Sequence, residues 1–118
     1  MFGTYQTRGV DAKEAAQILK DAKLLEAAGC FAIVLEKIPA ELGGKVAQQL
    51  KIPVIGIGAG GGVDGQVLVI HDMLGLTQSF SPRFLRRYLN LSEEIKGAVN
   101  HYVQDVKSKD FPNEREQY

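Results

Sequence analysis

The sequence predicts an α/β chain built from parallel strands alternating with helices. Three observations carry that reading. An amphipathic stretch over 11–28 leads straight into the apolar run Phe31–Leu35. A second short apolar run, "VIGIG" over 54–58, follows a helix-compatible segment that opens at Pro39. Continuous apolar strands interleaved with helices are the mark of parallel β/α units covered on their faces.

Each element has its own local signal. In "DAKEAAQILKDAKLLEAA" Asp11 is a good N-cap, and Glu14 three residues later completes a capping-box-like pattern. Ala15, Ile18, Leu19, Ala22 and Leu25 recur at helical spacing, and Gly29 supplies a residue that tolerates the left-handed backbone of a helix end. Pro39 suits the first turn of a second helix over about 39–50, weakened locally by Gly43 and Gly44. Pro53 opens the second strand. The glycine-rich loop "AGGGVDGQ" precedes a third apolar run, "VLVIHDML" over 67–74, with strand character. Ser81 and Pro82 start a short basic helix, "SPRFLRRYL". Ser92, with Glu93 and Glu94 behind it, caps a last long helix to about Lys107. The polar tail 109–118 is expected to be loosely held. No linker or repeat divides residues 1–118, so one domain is expected. Three strands make a poor independent sheet, because both edges are left uncovered.

Composition narrows the function. The 118 residues carry 14 basic and 14 acidic side chains, a formal net charge of zero. That balance argues against nucleic acid and anionic membrane surfaces as partners. No apolar run approaches the ~20 residues that span a bilayer. The N-terminus lacks a basic-then-apolar export pattern. Cys30 is the sole cysteine, which excludes an intrachain disulfide and fits a reducing cytoplasm.

The short motifs are weaker. "GIGAGG" over 56–61 is a literal G-x-G-x-x-G, yet it continues into "GVDGQVLVI" rather than the helix a dinucleotide fingerprint needs. Two readings remain for this loop. It lines a substrate or phosphate at the mouth of a β/α barrel, with Gly58, Gly60 and Asp64 as lining residues, or it is a tight turn needing positive φ at several glycines. "ELGGKVAQ" is not a P-loop, since Val46 stands where a hydroxyl residue is required. His71 and Asp72 read as a structural pair before a ligand or base pair, and no further histidine stands at metal-ligand spacing. His101 reads as a surface or packing residue, and Cys30 as an inert buried thiol. Arg83, Arg86 and Arg87 form a small basic patch, a solvated face or subunit contact before a phosphate site.

Glu36 differs. It ends the run Phe31–Leu35 just before the chain turns into a helix. Side chains at the carboxyl ends of parallel strands face the ligand crevice, where a carboxylate with apolar walls can serve as a general base. The alternative is a helix-start carboxylate stabilised by the helix dipole. The pattern alone leaves both open.

The blocks "VLEKIPAEL", "IPVIGIGAG", "DGQVLVIHDMLGL" and "PRFLRRY", in this order, together with the opening "Y-Q-T-R-G-x-D-A" and the closing "FPNERE", resemble the ketopantoate hydroxymethyltransferase family over essentially the whole chain. The resemblance implies a (β/α)8 barrel in which this chain is the C-terminal part, about three β/α units plus terminal helices. It implies transfer of a hydroxymethyl group from 5,10-methylenetetrahydrofolate to 2-oxoisovalerate, with Mg²⁺, in pantothenate synthesis on the way to coenzyme A. It implies that Glu36, in the family's "V-L-E-x-[VI]-P" motif, is the proton acceptor, and that the enzyme is a cytoplasmic homo-oligomer, commonly a decamer. The family's metal ligands and keto-acid-holding residues belong to its earlier strands and are not matched in this chain. A barrel takes about 250 residues. The expectation is therefore a C-terminal piece holding the base and no metal ligands, inactive until an N-terminal half is supplied, whether it arises by truncation or as one chain of a split enzyme. The competing expectations are a non-catalytic association module and a related metal-dependent barrel acting on C–C bonds of 2-oxo acids.

Overall fold

The computed structural model describes residues 6–79 and 81–118. Residues 1–5, including the Tyr5 of the opening motif, and residue 80 lie outside the described residues. The chain groups into two compact units, Met1–Leu68 and Val69–Tyr118.

In the first unit, helix α1 spans Ala12–Ala27, strand β1 Ile33–Glu36, helix α2 Ala40–Gln49, strand β2 Val54–Ile57 and strand β3 Gly65–Gln66. Asp11 caps α1 as expected, its Oδ1 accepting the Glu14 N–H at 2.9 Å. The reciprocal half of a capping box is displaced: Glu14 Oε2 instead accepts the Gly9 N–H at 2.6 Å, and Glu14 also pairs with Arg8. Gly29 ends the helix with φ of +95°. The sheet is wholly parallel in the order β1-β2-β3.

Burial in the sheet alternates rather than being continuous. Ile33 and Leu35 of β1 are buried with Val54 of β2 against Ala22 of α1 and Leu42 and Val46 of α2. Phe31, expected inside the strand, precedes it and is 90% exposed. Parallel register pairs Val34 with Ile55 and Glu36 with Ile57. These four therefore share the opposite face, where Val34 is 64% exposed and the two isoleucines are half-buried. Cys30 is likewise half-buried, packed against the core rather than inside it. Val46 and Val54 are fully enclosed. Val46→Ala removes two buried carbons and leaves a cavity, so an unfolding loss of about 2 kcal/mol is expected in urea titration. An unchanged midpoint would contradict this packing.

The third apolar run is corrected by the structure. Only Gly65–Gln66 are strand, paired with Ile55 and Gly56, and Val67 adds one more bond to Gly56 O at 2.9 Å. β2 ends one residue on, at Ile57, and Gly58 turns the chain out of the extended region with φ of +66°, so no group of β2 faces the run beyond Val67. A ladder cannot lengthen without free partner groups.

In the second unit, α3 is the single turn Ile70–Met73 and α4 spans Leu91–Ser108. The helix expected over 81–89 is absent. Leu85 N–H closes one turn on Pro82 O, while Tyr88 N–H bonds Met73 O and the Arg87 guanidinium bonds Thr77 O at 2.9 Å. So short a helix is marginal by itself, and these longer-range bonds prevail. Asn90, not Ser92, is the N-cap of α4, and it makes no side-chain cap bond. Part of the tail is held against the helix end. Lys109 closes the helix in a left-handed conformation, Asp110 and Phe111 N–H both bond Asp105 O, and the Phe111 ring meets Tyr102 edge-on.

Candidate functional site

The end of β1 brings together the elements that position Glu36. It is the last residue of β1, on the face not covered by α1 and α2, level with Ile57 and two residues beyond Val34. The carboxylate is exposed, and among the described residues it makes no hydrogen bond or ion pair. It does not cap α2: the N-cap is Pro39, four residues before Gly43, whose N–H bonds the Pro39 carbonyl at 3.0 Å. Glu36 thus lies on the uncovered face of the sheet and accepts no cap bond from α2.

Lys37 turns the chain directly after it, with φ of +51°. Its N–H bonds Ile57 O at 2.8 Å and its carbonyl accepts the Arg8 N–H at 3.1 Å. Arg8 is in turn paired with Glu14 on α1. Gly9, buried with φ of +72°, lets this segment pass beneath Leu42 and Ile18, whose side chains a Cβ would meet at 2.5 and 2.9 Å. Sequence reasoning missed Arg8, Gly9 and Lys37 as parts of this corner. Gly9 was the readable signal, since a lone glycine between Arg8 and Val10, just ahead of a helix cap, marks a close approach or a positive φ.

The glycine loop leaves the same end of the sheet. Gly58 and Gly60 have φ of +66° and +79°, in agreement with the tight-turn reading. The loop lies on α2 rather than over the end of β1. A Cβ on Gly60 would stand 2.3 Å from Ala40 Cβ, and one on Gly43 would stand 2.4 Å from the Ala59 carbonyl oxygen. Gly43 and the loop glycines thus allow a backbone-to-backbone seam. Asp64 is brought to the other end of the sheet. Its Oδ2 accepts the Val54 N–H at 2.8 Å and its own N–H bonds Val54 O at 2.9 Å, at the start of β2. Glu36 and Asp64 are not brought together.

Among the described residues no three His, Cys, Asp or Glu side chains are grouped to hold a metal ion. The described residues therefore show no grouping that fits a magnesium site. The His71 and Asp72 backbones serve the α3 turn, His71 O accepting Leu76 N–H at 2.8 Å and Asp72 O accepting Gly75 N–H at 3.1 Å. His101 faces Asp105 one helical turn away, at 3.6 Å. No described helix is long and apolar enough to cross a membrane. On the surface of α2, a hydrogen bond from Lys45 and then its positive charge hold the Glu41 carboxyl below its usual range.

Comparison with known proteins agrees with the motif order. A model of the family described as ketopantoate hydroxymethyltransferase matches residues 1–114. A protein of Parabacteroides distasonis named 3-methyl-2-oxobutanoate hydroxymethyltransferase is 69% identical over 117 residues, covering 99% of this chain and 43% of that protein. Proteins of the same name from Porphyromonas gingivalis and Flavobacterium johnsoniae are 68% and 64% identical with the same coverage. The chain spans 43% of the length of these curated relatives. It belongs to the ketopantoate hydroxymethyltransferase family.

Proposed function

We propose that this chain is the base-bearing, C-terminal part of a (β/α)8 barrel that transfers a hydroxymethyl group from 5,10-methylenetetrahydrofolate to 2-oxoisovalerate, giving ketopantoate in the cytoplasm. The observation that carries the proposal is Glu36, at the carboxyl end of a parallel strand on the sheet face left uncovered by α1 and α2. The names of the relatives supply the reaction class.

Parallel sheets are ordinarily buried on both faces. Here one face packs on helices, while the other carries Val34, Ile55 and Ile57 beside Glu36. Closing the sheet into a barrel would bury that apolar row and remove water from around the carboxylate. Glu36 then accepts the proton released from C3 of the keto acid, and the bonding electron pair remains on the substrate carbon that attacks the one-carbon unit. Val34 and Ile57 exclude water from the same face. The metal and the residues that hold the keto acid belong to the segment of the relatives outside this chain.

The test is a chimera joining the N-terminal portion of the Parabacteroides distasonis relative to this chain, assayed for ketopantoate with Mg²⁺, 2-oxoisovalerate and the folate donor. Turnover by the chimera and none by the 118-residue chain alone is expected. A folded but inactive chimera beside an active parent relative would overturn the proposal. In the same chimera Asp64→Ala is expected to lower stability by about 1–2 kcal/mol, by orphaning the Val54 N–H, while leaving kcat within about twofold. A selective loss of kcat would reinstate Asp64 as a substrate-lining residue.

A second feature bears on assembly. α4 has no buried residue and presents Ile95, Val99, Tyr102, Val103 and Val106 at helical spacing, all more than a third exposed. This row supports a homo-oligomer formed through terminal helices, and size-exclusion chromatography of the chimera with and without Val99→Glu tests it. A shift to a smaller species is the expected result, and an unchanged profile removes the row from the interface.

A further inference from the structure

We propose that Lys37 is a positioning residue whose left-handed backbone aims Glu36, with the Arg8 strap holding that conformation from outside. The inference rests on Glu36 being the base, and goes beyond it by assigning how the base is held.

A non-glycine residue with positive φ is uncommon, because its Cβ crowds the neighbouring carbonyl, and it persists where surrounding structure over-determines it. Lys37 is over-determined from both sides. Its N–H is fixed to Ile57 O, the register partner of Glu36, and its carbonyl is fixed by the Arg8 N–H. The Arg8 backbone is secured by two contacts on α1, the ion pair of its guanidinium with Glu14 and the bond from the next residue, Gly9 N–H, to Glu14 Oε2. Immediately beyond, Ile38 is 6% exposed in the core and Pro39 leads into α2. The peptide on the carboxyl side of Glu36 is therefore clamped between the second strand and the first helix. The carboxylate itself has no partner among the described residues, so its direction is set through this backbone rather than by a bond to its oxygens. That arrangement leaves the oxygens available to a substrate proton while fixing the atoms that carry them.

The prediction is a graded series in the chimera, ordered by tolerance of the left-handed region. Lys37→Gly and Lys37→Asn retain kcat within about threefold, Lys37→Ala loses several-fold, and Lys37→Val loses about 10- to 100-fold, the scale expected for a reacting group displaced by an ångström. KM for 2-oxoisovalerate stays within about twofold throughout. The isotope effect on kcat with substrate deuterated at C3 rises as kcat falls, a change that a general loss of folded enzyme would not produce. Circular dichroism reports the folded fraction, and Lys37→Ala carries the test if the valine variant does not fold. Equal losses in the glycine and valine variants, or full activity in both alanine and valine variants, overturn the proposal. Its failure is separable from failure of the base assignment: Glu36→Gln in the unaltered background addresses the base alone, and Lys37 variants address the aim.

Discussion

Glu36→Gln in the chimera is expected to lower kcat by about 10²- to 10⁴-fold, the range a positioned general base contributes. The substitution keeps size and hydrogen-bonding reach but removes the ability to accept a proton. KM for 2-oxoisovalerate should change little, because the group acts on charge developing in the transition state rather than on binding. Folding should be unaffected, since the carboxylate is exposed and supports no other residue described. Activity unchanged by Glu36→Gln would remove Glu36 from the chemistry, whatever the family motif implies. Glu36→Asp offers a finer measure. It retains the base but withdraws it by one carbon bond, and an intermediate loss would show that reach as well as charge is required.

A large stability effect is expected at Gly60. Alanine there is opposed twice: φ is +79°, and the new Cβ would stand 2.3 Å from Ala40 Cβ and 2.7 Å from Ala40 Cα. The left-handed penalty of about 1–2 kcal/mol adds to an overpacking cost of about 1–3 kcal/mol. The sum, about 2–5 kcal/mol, is a large part of the stability of an ordinary domain. The expected result is a sharply lower urea midpoint and reduced soluble yield. Gly61→Ala, where a Cβ meets nothing within 4 Å, serves as the control and should be nearly silent. Equal effects at the two positions would mean that loop flexibility, not the seam with α2, is what the glycines provide.

The contrast between these glycines illustrates what could be read directly. Positive φ at Gly58 and Gly60 was available as a tight-turn expectation from composition. That the loop presses on Ala40 and Gly43 was not, because a close approach between segments about twenty residues apart leaves no mark in either one alone. The same holds for the misplaced third strand. "VLVIHDML" has the apolar content of a strand, and strand propensity reports only fitness for a pleated surface. Whether it pairs is decided by how far β2 stays extended beside it, and β2 turns away at Gly58. The expected basic helix over 81–89 gave way for a related reason, since bonds to Met73 and Thr77 outweighed a short helix. At Asp64 the residue type suggested a lining role, whereas the fold uses its carboxylate to satisfy the Val54 N–H.

By itself, the sequence determined the alternation of α1, β1, α2 and β2, the Asp11 cap, the Gly29 helix end and the placement of Glu36 at a strand terminus. These follow from periodicity and capping, which are interactions between residues near one another in the chain. Its collinear blocks also determined the family. Tertiary structure alone decided which face of β1 is covered, where β3 stops, which end of the sheet Asp64 occupies and how Lys37 is held left-handed between Ile57 and Arg8. The physical reason is common to all four. Each is set by which backbone and apolar groups remain unsatisfied once the nearer elements have formed, and that competition is settled between segments distant in sequence.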